Sequence, residues 1–150
     1  MERSDLIRLL LVDVPGFNEH RKTNPKDPLD LSYADLSGAN LSRANLADAN
    51  LEHAVLKDTD LVRSNLSGAN LRSADLQGAD LTDSTLHRTD LTGADLRGAK
   101  VGAVVGDGRM CLHPTCFEDV LYDKEQLEAV MATLNKNRAW EIKYQLVPKG

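Results

Sequence analysis

The sequence predicts an all-β solenoid, preceded by a helical segment and followed by a helix-plus-strand extension. Three observations carry the solenoid. Leucine recurs at fourteen consecutive positions spaced five apart, from Leu31 to Leu96, and Val101 extends the series. The residue two places before each is small, mostly Ala, and the one just before it is Asp or Asn. The period itself excludes the helix. A step of five turns an α-helix about 140° past a full turn, so such leucines spiral around it and define no face. A strand, with a period of two, fits no better.

Within each five-residue unit, two positions are restricted to apolar or small residues and three are polar or variable. The restricted pair is expected to point inward and the others outward. A chain that turns a corner every five residues gives this pattern, with short extended pieces forming the sides of a square coil. Leucine fills the centre, and Ala sits where the wall passes too close for a larger side chain. Successive coils stack at the strand–strand spacing of about 4.8 Å, hydrogen-bonded coil to coil. The small-residue position departs from Ala at Leu29, Thr59, Ser64, Ser84 and Thr89, and the Asp/Asn position departs at Val55, Thr85 and Lys100. Buried serine hydroxyls at 64 and 84 require backbone partners. The Asp and Asn side chains are expected to bond nearby amides and hold the turns.

The run resembles the pentapeptide-repeat family, whose consensus is Ala-(Asp/Asn)-Leu-x-x, over about residues 29–103. That resemblance implies a right-handed quadrilateral β-helix with four pentapeptides per coil, hence just under four coils here. Residues twenty apart then stack in columns, so that Ser64 lies against Ser84.

A solenoid has raw ends that expose a leucine layer and unpaired edges. Residues 1–28 are expected to cap the first coil. "SDLIRLLL" puts Leu6, Leu9 and Leu10 on one side of a helix; a second helix starts at Pro15, a favoured first-turn residue, carries Phe17 and His20, and ends at "KTNPKDP". Residues 104–150 are expected to form an α/β extension. "DKEQLEAVMATLNKN" reads as a helix with Asp123 as N-cap and Leu127, Val130, Met131 and Leu134 on one face. In "AWEIKYQLV", Trp140, Ile142, Tyr144 and Leu146 alternate with Glu141, Lys143 and Gln145, a period-two strand whose apolar face needs a covering surface.

Signals of chemistry are sparse. Cys111, His113 and Cys116 are candidate metal or redox residues, but a zinc site needs a fourth ligand that this spacing does not supply. A Cys111–Cys116 disulfide is an alternative, and two reduced cysteines the simplest reading. No third group supports a Cys–His nucleophile pair, and "GDGR" at 106–109 lacks the GK[ST] of a phosphate loop. No cofactor, catalytic residue or metal is therefore expected.

The net charge is −5 and aromatic residues make up 4% of the chain, which argues against direct nucleic-acid binding. No apolar run is long enough to span a membrane, and the two cysteines form no disulfide framework, so the cytoplasm is the expected location. Residues 30–98 carry eleven acidic side chains and six Lys or Arg, so the whole net charge lies on the solenoid wall. The family resemblance implies a second reading, since some members resemble B-form DNA in width and charge and bind gyrase. Yet duplex DNA as long as this rod carries about ten phosphate charges, and this wall has half that, interrupted by Arg43, Lys57, Arg63, Arg72, Arg88 and Arg97. The expected function is a non-catalytic scaffold or regulatory module that binds a protein through the wall, the Trp140–Leu146 strand, or both. The strand leaves room for a homodimer without requiring one.

Overall fold

A computed structural model describes residues 1–100. Two helices come first, α1 (Arg3–Val12) and α2 (Val14–Thr23). Pro15 stands inside the first turn of α2, one place later than at its start, because Asp13 provides the N-cap by accepting from Gly16 N at 3.0 Å.

From residue 30 onward the chain coils with a period of twenty. Parallel bridges join Asp30 to Asn50, Asp35 to Val55, Asn40 to Asp60 and Asn45 to Asn65, and the same offset continues to Asp80 and Lys100. Four five-residue units therefore complete one coil, and residues twenty apart stack. The sides are shorter than the extended pieces expected, since one residue per unit bridges and no continuous strand forms among the described residues. The reason is geometric. Each Leu carbonyl accepts from the amide three residues on (Ala34 N to Leu31 O, 3.1 Å; Ala44 N to Leu41 O, 3.0 Å), so four of the five residues belong to a tight turn. The residue before Leu alone is left to bridge.

That turn requires a positive φ at its third residue, two places after Leu. All fourteen such residues, from Tyr33 to Gly98, adopt it, and nine of them are not glycine. A left-handed conformation costs an L-residue roughly 1–2 kcal/mol. The coil-to-coil bonds offset that cost at each level, as in Tyr33 N to Glu52 O at 3.0 Å and Arg43 N to Val62 O at 2.9 Å.

The inward positions behave as the pattern demands. Every Leu from 31 to 96 is buried, and the small position is buried in every unit except at Ala39. Leu6, Leu10 and Phe17 of the helices join this core.

The helices also complete the first coil's hydrogen bonding. In later coils, an Asp/Asn amide donates to a carbonyl 21 residues earlier, as Asn65 N does to Ala44 O. For Asn45 no preceding coil exists, and Asn18 Oδ1 accepts instead, at 2.7 Å, while Asn18 Nδ2 donates to Arg43 O at 2.9 Å. By the same register Ala47 O would accept from residue 28, but Pro28 has no N–H, and Arg21 Nη2 donates to it at 2.8 Å. Arg3 likewise donates to the carbonyls of Asp30 and Ser32. Side chains thus stand where a preceding coil's backbone would lie.

Candidate functional site

The wall has four faces, built from units centred on Leu31, 51, 71 and 91; on 36, 56, 76 and 96; on 41, 61 and 81; and on 46, 66 and 86. Their chemistry differs. The Asp/Asn position is mostly used by the fold itself, because the side chain accepts from the amide two residues on. Examples are Ser32 N to Asp30 Oδ1 at 3.0 Å, Val62 N to Asp60 Oδ1 at 2.9 Å and Arg97 N to Asp95 Oδ1 at 3.1 Å. On the first face the amides also form a ladder: Asn70 Nδ2 donates to Asn50 Oδ1 at 3.1 Å, and Asn50 Nδ2 to Asp30 Oδ1 at 3.3 Å. The ladder separates Asp30 from Asp90.

These bonds hold several carboxyls below the usual carboxylate range. Hydrogen bonds from Ser32 lower Asp30, those from Ser37 lower Asp35, those from Thr82 lower Asp80, and those from Arg97 lower Asp95. Burial pushes Asp90 up, but bonds from Thr92 and Arg72 outweigh it and the group ends below its ordinary value.

The acidic wall is neither uniform nor unpaired. The first face sets Asp30, Glu52 and Asp90 against Arg72; the second sets Asp35, Asp58, Asp75 and Asp95 against Lys57 and Arg97, so each is net −2. The third, with Asp60, Asp80 and Asp83 against Arg43 and Arg63, is net −1, and the fourth, with one acid, Asp48, and one base, Arg88, is neutral. Cations reach carboxylates one coil away, as in Lys57–Asp75 at 3.2 Å, Arg63–Asp83 at 3.4 Å and Arg72–Asp90 at 3.3 Å. Exposed pairs of this kind add little stability, but they dilute the field that a row of phosphates would present.

One corner, between the first and second faces, departs from the pattern. Tyr33 and His53 stack there with ring centroids 4.9 Å apart and planes at 20°. Tyr33 is 72% exposed. Two residues beyond His53 stands Val55, where the column otherwise reads Asp35, Asp75, Asp95. Valine cannot accept from Lys57 N, so this turn forgoes the side-chain bond that its neighbours have. Val55 does separate two carboxylates along the column. Beside it, Asp35, Glu52 and Asp58 supply negative charge.

The sequence reading placed functional weight elsewhere. Trp140, Ile142, Tyr144 and Leu146, and the cluster Cys111, His113 and Cys116, lie outside the described residues. That reading singles out neither Tyr33 nor His53 as a recognition residue, because the stack depends on the twenty-residue register. Among the described residues no group of three His, Cys, Asp or Glu could hold a metal, and no helix is long and apolar enough to cross a membrane.

Comparison with known proteins agrees with the repeat. The family model for pentapeptide repeats matches residues 30–68 and 64–101, with eight copies. No curated protein matches. Among solved structures, a pentapeptide repeat protein from the Arabidopsis thaliana thylakoid lumen is 33% identical, over 50% of this chain and 52% of that one, with a TM-score of 0.48. HetL of the cyanobacterium Nostoc sp. strain PCC 7120, a pentapeptide repeat protein involved in heterocyst differentiation regulation, is 34% identical over 61% of this chain and 38% of its own, with a TM-score of 0.48. A further pentapeptide repeat protein from the same Nostoc strain is 28% identical, over 64% of this chain and 78% of that one, with a TM-score of 0.44. The chain thus spans about half the length of the Arabidopsis protein and less than half that of HetL.

Proposed function

The chain belongs to the pentapeptide-repeat family through residues 30–101, and on that premise we propose that it is a non-catalytic interaction module, a scaffold or regulator that binds a protein through its outer wall. The observation that supports this reading is the corner at Tyr33, His53 and Val55. Wherever Asp or Asn occupies the wall position before Leu, its side chain serves the turn. Here the chain forgoes a turn bond and exposes an aromatic pair, and exposed aromatics ringed by polar groups are the usual anchors of protein interfaces. The flanking carboxylates favour a partner with basic side chains at its rim.

In this reading the solenoid is a right-handed coil of just under four turns, residues 1–28 cap it, and residues 104–150 are a second contact element carried on its far end. The test is partner capture from lysate of the native source with three full-length proteins: the unaltered chain, Tyr33→Ala/His53→Ala, and Trp140→Ala/Tyr144→Ala. Loss of the partner with the first double change supports the corner. Loss only with the second moves recognition to the extension. Capture of the same partner by all three, with unchanged stability, removes both surfaces.

A DNA mimic directed at a type II topoisomerase is the second reading, favoured by the net charge of the wall but opposed by its division over faces of −2, −2, −1 and 0. Absence of any effect on gyrase supercoiling at micromolar protein eliminates it. A metal or redox role for Cys111, His113 and Cys116 is the third, and metal analysis with thiol titration of the natively purified protein decides it.

A further inference from the structure

An open groove lies at the opposite side of the first coil from the Tyr33–His53 corner, where the helices meet the third face. Leu11, Val12, Val14, Pro15 and Asn18 on one side, and Asn40, Ser42 and Arg43 on the other, enclose an open groove of about 500 Å³, within the usual size of small-ligand and peptide pockets. Its floor is aliphatic. Val12 is 80% exposed and Leu11 45% exposed, although neighbouring Leu10 is fully buried. A helix end whose apolar residues face solvent is an unpaired surface.

The polar groups on the groove include a cation and an amide donor. Arg43 makes no ion pair among the described residues, unlike Arg63 directly below it in the column, which binds Asp83 at 3.4 Å. Its main-chain carbonyl is held by Asn18 Nδ2 at 2.9 Å, so the backbone that carries it is anchored. Asn40 Oδ1 accepts from Ser42 N at 3.1 Å and Ser42 Oγ at 2.8 Å, which leaves the Asn40 amide N–H₂ to donate outward. Among the described residues no carboxylate lines the groove, and the carboxylate of nearby Asp13 accepts from Gly16 N. A guanidinium and an amide donor beside an aliphatic floor suit an anionic acceptor attached directly to an apolar group.

We propose that this groove binds the free C-terminus of a partner polypeptide ending in an aliphatic residue. A C-terminal residue bears its carboxylate and its side chain on one carbon, so Arg43 and Asn40 can hold the carboxylate while Leu11, Val12 and Val14 receive the side chain. An internal Asp or Glu carries its charge at the tip of its own side chain and sets its nearest apolar neighbour on the next residue, a poorer match to donors that adjoin the floor. A guanidinium can bond a carboxylate through two nitrogens, which fixes orientation as well as charge. The site is separate from the Tyr33–His53 corner and stands or falls without it.

The test is an NMR titration of the full chain, labelled on its amides, with an acetylated Leu-Val dipeptide bearing a free carboxylate, and with the same dipeptide as its carboxamide. The acid is expected to shift the amides of Asn40, Ser42 and Arg43 and of residues 11–15, and to bind at least tenfold more tightly than the amide. Arg43→Gln keeps a side chain of similar reach in the same backbone conformation, and it is expected to reduce that tenfold preference to less than twofold. Octanoate, an anion with an aliphatic tail but no peptide group, is expected to bind more weakly than the acid dipeptide. Equal binding of acid and carboxamide, shifts confined to other faces, a preference unaffected by Arg43→Gln, or octanoate binding as tightly as the dipeptide would each overturn the proposal.

Discussion

Asn18 stands in for a missing coil, and its removal has a calculable cost. Its side chain accepts from Asn45 N at 2.7 Å, in a partly buried bond, and donates to Arg43 O at 2.9 Å, in an exposed one. Asn18→Ala removes two hydrogen bonds worth roughly 0.5–1.5 kcal/mol each and leaves Asn45 N–H without its acceptor, so the expected loss is about 2 kcal/mol. Asn18→Asp keeps the acceptor and loses the donor, and is expected to cost about half as much. Urea unfolding followed by circular dichroism reads both. With a slope of roughly 2 kcal/mol per molar, the Ala variant should lower the midpoint by about 1 M with the slope unchanged. The Ala variant should also self-associate more readily, because an unpaired edge recruits another chain. A midpoint shift below about 0.2 M for Asn18→Ala, or an equal shift for the two variants, would refute the idea that this side chain substitutes for a coil.

Other outcomes follow from the same geometry. Ser64 Oγ and Ser84 Oγ are buried without partners among the described residues, so Ser64→Ala and Ser84→Ala should each stabilise the chain by about 1 kcal/mol in urea unfolding. Thr59 Oγ1 and Thr89 Oγ1 instead donate to Leu36 O and Leu66 O at 2.8 and 2.7 Å, so Thr59→Val should lower stability by about 1 kcal/mol; the same sign for serine and threonine changes would count against this. Val55→Asn restores the turn acceptor for Lys57 N without adding charge beside Asp35 and Asp75, and should raise stability by about 0.5–1 kcal/mol while weakening partner capture. The lowered carboxyls of Asp30, Asp35, Asp80, Asp90 and Asp95 bind fewer protons folded than unfolded. Their contribution is complete above the ordinary Asp range and disappears as pH falls through about 4 and below it. Unfolding free energy measured from pH 6 to pH 3 should therefore decline, and Asp35→Asn, which keeps the acceptor, should flatten that decline.

The five-residue period was enough to read the inward and outward positions, because burial of Leu and Ala is enforced at every level. The role of Asp and Asn followed from their short side chains, which reach the amide two residues on. From sequence alone the position two places after Leu is unconstrained, since Tyr33, Arg43, Asp48 and His53 share no side-chain chemistry. The shared constraint is backbone φ, and its trace in the sequence is that five of the ten glycines, at 38, 68, 78, 93 and 98, occupy that slot. Buried hydroxyls at Ser64 and Ser84 call for backbone partners, and among the described residues they have none. The residues that finish the first coil, Arg3, Asn18 and Arg21, carry no periodic signal, because they act from helices on an edge fixed only by the coil. Pro28 was the available hint: it occupies a register position whose amide the next coil needs. The Tyr33–His53 stack was legible only once residues twenty apart were known to be neighbours, though the stacking of Ser64 on Ser84 used that same rule.

Photo-crosslinking tests the interaction module most directly. A photoreactive aromatic amino acid placed at position 33, beside His53, and in a second protein at position 67, on the fourth face, would be irradiated in lysate of the native source. Crosslinking of a specific protein from position 33 and not from position 67, abolished by His53→Ala, is the expected result. Crosslinks from position 67 alone, or the same protein trapped equally from both positions, would contradict the assignment of recognition to that corner.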